Sequence, residues 1–136
     1  MSVFVDTSAL YALLVRSEAG HERVLRAFSA AVQGDEQLCT TSYVLVETVA
    51  LLQHRIGLDA VRDLERALAP LLAVEWVSAG LHKRATSRLL RGDRRRVSLV
   101  DCVSFEFMKA MGLRRALTLD RHFADAGFEV VPKQGA

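Results

Sequence analysis

Four of the sixteen acidic residues lie where a solvated surface is not a sufficient explanation. Asp6 closes the apolar run SVFVD, and Asp120 closes a second apolar run, ALTLD. Glu47 interrupts the apolar stretch SYVLVETVALL, and Asp101 lies within SLVDCVSF. Oxygen atoms are the ligands that hard divalent cations such as Mg²⁺ prefer. A carboxylate cluster that holds Mg²⁺ or Mn²⁺ can orient a water molecule, lower its pKa and neutralise charge on a phosphodiester.

Glu47 is the carboxylate that its local sequence explains least. On a helix its neighbours are Tyr43 and Val44 on one side and Ala50 and Leu51 on the other, and none of them is basic. An ionised carboxylate in an apolar setting is strongly unfavourable unless it is paired, hydrogen-bonded or bound to a metal. Either this helix turns Glu47 towards water, or its charge is compensated from elsewhere in the chain.

The other three carboxylates each have a structural alternative. Asp6 and Asp120 precede predicted helices and could cap them, and Asp101 follows Ser98 in the S-x-x-D pattern of a capping box. Glu106, between two phenylalanines, illustrates a further alternative, because an acid among apolar neighbours can mark the solvent-facing side of an amphipathic helix. Only the four acids together indicate chemistry.

Zinc chemistry and a disulfide framework are not indicated. The two cysteines lie in apolar surroundings without C-x-x-C spacing, which fits a reducing compartment. No basic leader precedes Asp6 and no apolar run approaches the length of a membrane span, so we expect a cytoplasmic protein. The histidines have no ligand spacing and are interpreted as surface or packing residues: His21, His54, His82 and His122.

A basic segment lies between Lys83 and Arg96. It carries seven cations and one acid, a local charge of +6, so the rest of this +2 chain carries −4. Such asymmetry favours a patch that meets a polyanion, and the alternative is a solvated helix end and loop. The candidate phosphate contacts are Arg84, Arg88, Arg91, Arg94, Arg95 and Arg96.

Alternating strands and helices must position these residues. With 136 residues and 51% hydrophobic composition, the chain is expected to form one domain, residues 1–136. Strands are predicted at 2–6, 37–41, 73–78, 115–120 and 128–132, and helices at 8–15, 18–32, 42–52, 58–72, 81–91, 98–111 and 120–127. This alternation indicates parallel strands in a three-layer α/β/α sandwich, although periodicity does not determine the strand order.

Ligands of an open parallel sheet bind beyond the carboxyl ends of its strands, where the strand order reverses. Asp6 and Asp120 both end predicted strands. If those strands are neighbours at the reversal, the two carboxylates meet there, and adjacent helices could bring Glu47 and Asp101. Two unit charges about 5 Å apart repel by about 3 kcal/mol at an effective dielectric constant near 20. Four such groups together need protons or cations.

At these residues the chain resembles the PIN-domain ribonucleases, and most closely the VapC-type toxins of prokaryotic toxin-antitoxin pairs. The motifs occur in the family's order and spacing and cover essentially the whole chain. They are VDTSAL at 5–10, SYVLVET around Glu47, SLVDCVSFEFM around Asp101, and LTLDRHFADAGFEVV around Asp120, with T-x-D-x-x-F from Thr118 to Phe123. The resemblance implies a PIN-like five-stranded parallel sheet in the order 3-2-1-4-5, which makes the first and fourth strands neighbours.

The resemblance also implies roles for the site residues. Asp6, Glu47, Asp101 and Asp120 are expected to form the acidic pocket. Asp6 and Asp101 would be direct metal ligands, Asp120 a further ligand directly or through water, and Glu47 the residue that holds or activates metal-bound water. The hydroxyls expected to position this water or the scissile phosphate belong to Thr7, Ser8 and Thr118. Two residues depart from the family pattern: Cys102, where a small residue is more usual, and the cation Arg121.

The activity implied is a Mg²⁺- or Mn²⁺-dependent endoribonuclease, the toxin of a VapBC pair, which cuts single-stranded or looped RNA. A homodimer and a VapB-type antitoxin are the expected partners, and no membrane association is expected. One alternative is a PIN-like RNA-processing nuclease without an antitoxin. Another is a phosphatase with an aspartate nucleophile, although such sites need a second acid where this chain has Ser8. The third is a catalytically silent protein-binding module whose acids are only caps.

Overall fold

A computed structural model of the chain describes residues 1–92 and 97–133. The predicted phosphate contacts Arg94, Arg95 and Arg96 lie outside these residues. The strands are β1 (Ser2–Val5), β2 (Gln37–Thr41), β3 (Leu72–Glu75), β4 (Arg115–Leu117) and β5 (Glu129–Val131). The helices are α1 (Thr7–Leu14), α2 (His21–Gln33), α3 (Ser42–Arg55), α4 (Leu58–Asp63), α5 (Ala79–Arg91), α6 (Leu99–Met111) and α7 (His122–Asp125).

All strand pairs are parallel, and the order across the sheet is β3-β2-β1-β4-β5. The predicted order 3-2-1-4-5 and the α/β fold class are therefore confirmed. The order reverses between β1 and β4, which are hydrogen-bonded neighbours. The backbone N–H of Asp6 continues this pairing, since it donates to the carbonyl oxygen of Leu117 at 3.0 Å. Asp6 thus lies at the reversal of strand order.

The central strand β1 is apolar because both of its faces are covered. Val3, Phe4 and Val5 are all buried, as is typical of a parallel strand between helical layers. On one face the Phe4 ring packs against Phe107 of α6 and Phe123 of α7, with ring centroids 6.0 and 6.1 Å apart. Since successive side chains alternate across a strand, Val3 and Val5 face the opposite layer.

Helix starts near the carboxyl edge are capped by the residues that the sequence suggested. The Asp6 side chain accepts from Ser8 N at the start of α1, and Ser98 and Asp101 form a complete capping box at the start of α6. The backbone N–H of His122 donates to Asp120 Oδ1 at 2.9 Å where α7 begins. The capping interpretation is therefore correct for Asp6 and Asp101. Asp120 lies one residue before the N-cap position of α7, which Arg121 occupies without a side-chain cap.

The predicted helix at 58–72 is wrong as a continuous helix. Helix α4 ends at Asp63, and the chain passes through a π-helical turn (Leu64–Leu68) and a 3₁₀ turn (Ala69–Leu71) before β3. Pro70 accounts for the break, because proline has no N–H to donate and clashes with the preceding turn of a helix. The predicted strand at 73–78 also ends early, since Ser78 caps α5.

The fourth strand is shorter than the predicted span 115–120, because β4 ends at Leu117. Beyond it, the N–H of Leu119 donates to the Ser8 hydroxyl, and the N–H of Asp120 donates to the Thr118 hydroxyl, each at 2.9 Å. Side-chain oxygens thus replace the strand partners of these two residues. This exchange turns the chain out of the sheet at the position of Asp120.

Over residues 1–92 and 97–133, no helix combines the length and the apolar character needed to cross a membrane.

Phe123 offers a test of the packing beneath the carboxyl edge. Its side chain is fully buried and contacts Phe4 and Phe105, with the Phe105 ring centroid 4.9 Å away. We expect Phe123→Ala to lower the free energy of unfolding by about 3–5 kcal/mol, because it removes a large buried ring. Urea denaturation measures this change. The control is Leu90→Ala, at a side chain that is 78% exposed, which should alter stability by less than about 0.5 kcal/mol.

Candidate active site

The predicted carboxylates converge on one pocket beyond the carboxyl ends of β1 and β4. Its volume is about 320 Å³, and its lining includes all four of them: Asp6, Glu47, Asp101 and Asp120. Asp6 comes from the end of β1, Glu47 from the middle of α3 and Asp101 from the first turn of α6. Asp120 lies in the turn between β4 and α7. The sheet reversal thus brings together acids that lie up to 114 positions apart in the chain.

Two hydroxyls hold the carboxylate of Asp6. Ser8 Oγ lies 2.8 Å and Thr118 Oγ1 lies 2.9 Å from Asp6 Oδ2, and the two hydroxyl oxygens are 3.0 Å apart. Each hydroxyl also accepts a backbone N–H, from Leu119 and Asp120 respectively. Because these N–H groups occupy hydroxyl lone pairs, both hydroxyl protons are free to donate to Asp6. We call this arrangement of Ser8 and Thr118 the hydroxyl relay.

Burial makes the charge of Asp6 unfavourable despite the relay. Asp6 is 4% exposed, and desolvation raises its pKa from 3.8 to about 6. The hydrogen bonds from Ser8 and Thr118 act in the opposite direction and lower the pKa, whereas the charges of Asp101 and Asp120 raise it further. An unscreened negative charge at this position therefore needs a proton or a cation.

Glu47 projects into the same pocket and is partly buried. Burial is the largest cause of the raised pKa of this carboxyl, and the charges of Asp101 and Asp120 raise it too. A hydrogen bond from the Thr7 side chain acts against this and lowers the pKa. The apolar residues around Glu47 seat α3 against the core, where Val44 and Leu52 are fully buried. The acid in SYVLVETVALL thus shares a pocket with three aspartates.

Asp101, Asp120 and His122 form the tightest group of potential metal ligands in the described part of the chain. One ligand atom from each lies within 4.8 Å of the others. The pKa of Asp101 is raised, first by burial, while its hydrogen bond with the Ser98 backbone and its contact with His122 lower it. His122 Nδ1 lies 3.2 Å from Asp120 Oδ1 and 3.5 Å from Asp101 Oδ2.

His122 is therefore not the surface or packing residue that its spacing suggested. Its side chain is 23% exposed. The imidazole lies near the carboxylates because His122 is the first residue of α7, two positions after Asp120. A spacing of two residues, with Asp120 at the start of a short helix, was the only available signal. Periodicity alone does not distinguish this arrangement from a helix cap.

Three further polar residues that sequence reasoning missed line the pocket: Tyr11, Glu18 and Arg55. The guanidinium of Arg55, at the end of α3, lies over the Tyr11 ring at 5.6 Å from its centroid. This places a cation beside the acids, two turns along the helix from Glu47. The eight-residue spacing from Glu47 to Arg55 gives one helix face, which is a signal that could have been used.

The residues predicted to bind substrate lie in two different places, the hydroxyls in the pocket and the described arginines on α5. The hydroxyls of Ser8 and Thr118 are engaged in the relay, and Thr7 Oγ1 lies 3.4 Å from the carbonyl oxygen of Val44. A contact of these hydroxyls with water or phosphate stays a prediction. Arg84 and Arg91 are exposed on α5, on which the basic segment begins.

Arg88 points into the protein. It pairs with Glu106 at 2.9 Å and lies over the Phe105 ring at 4.9 Å from its centroid. The side chain of Glu106 is only 15% exposed, so Glu106 is a buried ion-pair partner and does not mark a solvent-facing side of α6. Sequence periodicity missed this because the partner comes from another helix, α5. A phosphate contact by Arg88 stays a prediction, and the guanidinium already has a partner within the fold.

The donor set of the pocket fits a divalent cation. Carboxylates with raised pKa values crowd one pocket, and Nδ1 of His122 is buried without a hydrogen-bond partner among the described residues. Both features disfavour the pocket in a cation-free state. Oxygen donors from several aspartates, with waters completing the shell, are the arrangement that Mg²⁺ and Mn²⁺ accept. Such an arrangement can place a cation and a water molecule beside a phosphodiester.

Comparison with known proteins agrees with this geometry. Residues 3–129 match the PIN domain family. The chain is 36% identical over 133 residues to the Mycobacterium tuberculosis 23S rRNA-specific endonuclease VapC20, covering 96% of this chain and 99% of that protein. It is 24% identical over 127 residues to a VapC ribonuclease of Aquifex aeolicus, covering 93% of each chain.

Solved structures show the same fold. The crystal structure of M. tuberculosis VapC20, described as a Sarcin-Ricin loop cleaving toxin, has a TM-score of 0.83 at 35% identity and covers 93% of this chain and 96% of its own. FitAcB from Neisseria gonorrhoeae has a TM-score of 0.66 at 20% identity, covering 94% and 95%, and shares the fold. Since the family spans residues 3–129 and the mycobacterial relative aligns over 96% of the chain, the chain belongs to the PIN-domain family, among its VapC-type ribonucleases.

Proposed function

We propose that this chain is a Mg²⁺- or Mn²⁺-dependent endoribonuclease and the toxin of a VapBC pair. The observation that carries the proposal is the convergence of Asp6, Glu47, Asp101 and Asp120 on one pocket at the sheet reversal. Like charges in this setting require a cation, and a cation beside a water molecule supports phosphodiester hydrolysis. The similarity to VapC ribonucleases over nearly the whole chain supports RNA as the substrate.

Each residue has a role in this proposal. Asp6 and Asp101 hold the metal directly, and Asp120 is a further ligand directly or through water. When bound, the metal supplies charge neutralisation at the phosphate and lowers the pKa of a water molecule. Glu47 accepts the proton that the attacking water releases, which its raised pKa favours. The hydroxyl relay keeps Asp6 Oδ2 fixed, and the other carboxylate oxygen, Oδ1, is the one proposed to bind the metal.

The same similarity supports RNA and an antitoxin as the partners. We infer that RNA binds across the pocket and the start of the basic segment, where Arg84, Arg91 and Arg94 to Arg96 supply candidate phosphate contacts. The loop of 23S rRNA that the mycobacterial relative is named for is the first substrate to test. We further infer a VapB-type antitoxin, a homodimer and a cytoplasmic location for this one-domain nuclease. A PIN-like nuclease without an antitoxin remains the alternative if no small antitoxin gene adjoins this one.

Metal-dependent cleavage is the direct test of the proposed function. An RNA hairpin with the sarcin-ricin loop sequence should be cut in Mg²⁺ or Mn²⁺ and spared in EDTA, and a hairpin with a scrambled loop should be spared in both. Asp101→Asn should reduce the cleavage rate by at least about 100-fold, because it removes a charged metal ligand worth several kcal/mol. The matched control is Asp59→Asn, at a side chain that is 96% exposed. Undiminished cleavage by Asp101→Asn would refute the mechanism and favour a silent binding module.

The stability of the metal-free protein should fall as pH rises from about 4 to about 6. Burial raises the pKa of Asp6 to about 6 from 3.8. Between these values the native state holds a proton that the unfolded state has lost, so deprotonation costs native stability. The loss attributable to Asp6 is about 3 kcal/mol, from roughly 1.4 kcal/mol for each pKa unit.

Comparison of wild type with Asp6→Asn in urea denaturation at several pH values isolates this contribution from those of other carboxyls. The stability difference between the two proteins should change across this pH window without metal. It should change less with saturating Mn²⁺, because the cation replaces the proton. A difference that is constant with pH would contradict the burial of an ionisable Asp6.

Arg55 is expected to contact a substrate phosphate at the edge of the pocket. We expect Arg55→Ala to raise KM for RNA roughly fivefold with little change in kcat, which corresponds to about 1 kcal/mol for an exposed charge contact. The slope of log KM against log salt concentration should also fall by about 1, as expected for the loss of one phosphate contact. Arg66→Ala, at another exposed arginine, is the control. Equal effects of the two variants would indicate only a loss of net charge.

A further inference from the structure

The imidazole of His122 lies beside two carboxylates of the acidic pocket, Asp101 and Asp120, and lines the neighbouring cavity. Its backbone and the next residue hold it there. The N–H of His122 donates to Asp120 Oδ1 at 2.9 Å, and the next residue, Phe123, is fully buried. The ring therefore lies near the acids without depending on hydrogen bonds of its own. Its position is a property of the fold at the start of α7.

The Nδ1 atom of this ring has an unusual environment. It is 3.2 Å from Asp120 Oδ1 and 3.5 Å from Asp101 Oδ2. The interaction with His122 lowers the pKa of Asp101, but neither contact gives Nδ1 a well-aligned hydrogen bond among the described residues. A buried ring nitrogen that is left unpaired is unfavourable unless something else occupies its lone pair. The surrounding atoms that come nearest are the carboxylate oxygens of two proposed metal ligands.

These three atoms suit a shared ion. One oxygen of Asp101, one of Asp120 and the His122 nitrogen lie within 4.8 Å of one another. Ligands at about 2.1 Å from one ion are separated by distances of this order. An imidazole nitrogen changes the preference of such a site, because first-row transition ions accept nitrogen ligands readily whereas Mg²⁺ favours oxygen.

We propose that His122 Nδ1 is a direct ligand of the metal, together with Asp101 and Asp120, and that it gives this site a preference for first-row transition ions over Mg²⁺. The proton of the neutral ring then lies on Nε2. This inference rests on the proposed function, since it assumes that the acidic pocket holds a cation. It adds a nitrogen donor to a set of proposed metal ligands that are otherwise all carboxylates.

Metal affinity measured without RNA tests the ligand. Dissociation constants of Mg²⁺, Mn²⁺ and Co²⁺ would be determined by calorimetry for wild type, His122→Ala, His122→Asn and the control His54→Ala, at an exposed histidine of α3. In His122→Ala, Co²⁺ should bind at least about tenfold more weakly, since loss even of a residue that only orients a ligand costs 10–100-fold. Mg²⁺ affinity should change less than about threefold, which lowers the preference for Co²⁺ over Mg²⁺.

The conservative variant and the absorption spectrum separate a ligand from a structural residue. His122→Asn offers an amide oxygen, so it should retain Mg²⁺ binding while losing the preference for Co²⁺. The visible spectrum of bound Co²⁺ in both His122 variants should differ from the wild-type spectrum. The spectrum of His54→Ala should match it. Equal weakening of all three metals, or an unchanged ratio of Co²⁺ to Mg²⁺ affinity, would overturn the proposal, because His122 would then act only through the positions of the carboxylates.

Failure of this inference and failure of the proposed function give different results. If wild type binds no divalent cation, or if cleavage is unaffected by EDTA, the proposed function fails. If wild type cuts RNA in a metal-dependent manner and Asp101→Asn does not, while His122→Ala leaves the affinity ratio and the Co²⁺ spectrum unchanged, only the assignment of His122 as a ligand fails.

Discussion

The hydrogen bonds that end on Asp6 Oδ2 are the constraint on which the site depends. Thr118, which lies 112 positions further along the chain, and Ser8, two positions on, direct their hydroxyl protons to one carboxylate oxygen. Both hydroxyls can do so because the N–H groups of Leu119 and Asp120 supply their other hydrogen bonds. One set of contacts thus orients Asp6, ends β4 and turns Asp120 towards the pocket. Loss of either hydroxyl would disturb two carboxylates at once.

Capping and chemistry coexist in these aspartates. Asp6 and Asp101 satisfy backbone N–H groups at helix starts, and so does Asp120 at the start of α7. These hydrogen bonds use partners two or three residues away, so each carboxylate is oriented in part by its own segment of chain, and Asp6 also by Thr118. The sheet order then has only to bring the pre-oriented groups together. A polar group whose position is set by local hydrogen bonds loses little conformational entropy when it binds a ligand.

Much of the fold and the acidic quartet could be predicted from the sequence, and the exceptions have physical reasons. Helix α6 was predicted well because Ser98 and Gly112, a residue with φ of 69°, mark its two ends. The strand order required the family resemblance, since periodicity carries no information about which strands pair. The break near Pro70 was readable from proline chemistry, whereas the early end of β4 depends on hydroxyls from two segments.

Side-chain partners between elements were the least predictable part of the site. Glu106 resembled a solvent-facing acid until α5 supplied Arg88. The turn at Asp120 brings His122 beside Asp101 and Asp120, and the length of α3 brings Arg55 into the pocket lining. No sequence motif predicts either position. In both cases the sequence contains the residue but not the direction of its side chain. That direction is set by packing between elements distant in sequence.

The choice between aspartate and glutamate at the acidic positions follows from the same caps. At Asp6 and Asp120 the carboxylate must accept a hydrogen bond from the N–H two residues further along the chain. A side chain with one methylene group does this well and a longer one does it poorly. Asparagine or serine could cap these positions but would remove the charge, and glutamate would keep the charge but lose the cap. Glu47, in the middle of α3, meets no such requirement. Its extra methylene group lengthens the reach of the carboxylate from the middle of α3, whereas Asp101 lies in the first turn of α6, where its carboxylate also completes the capping box.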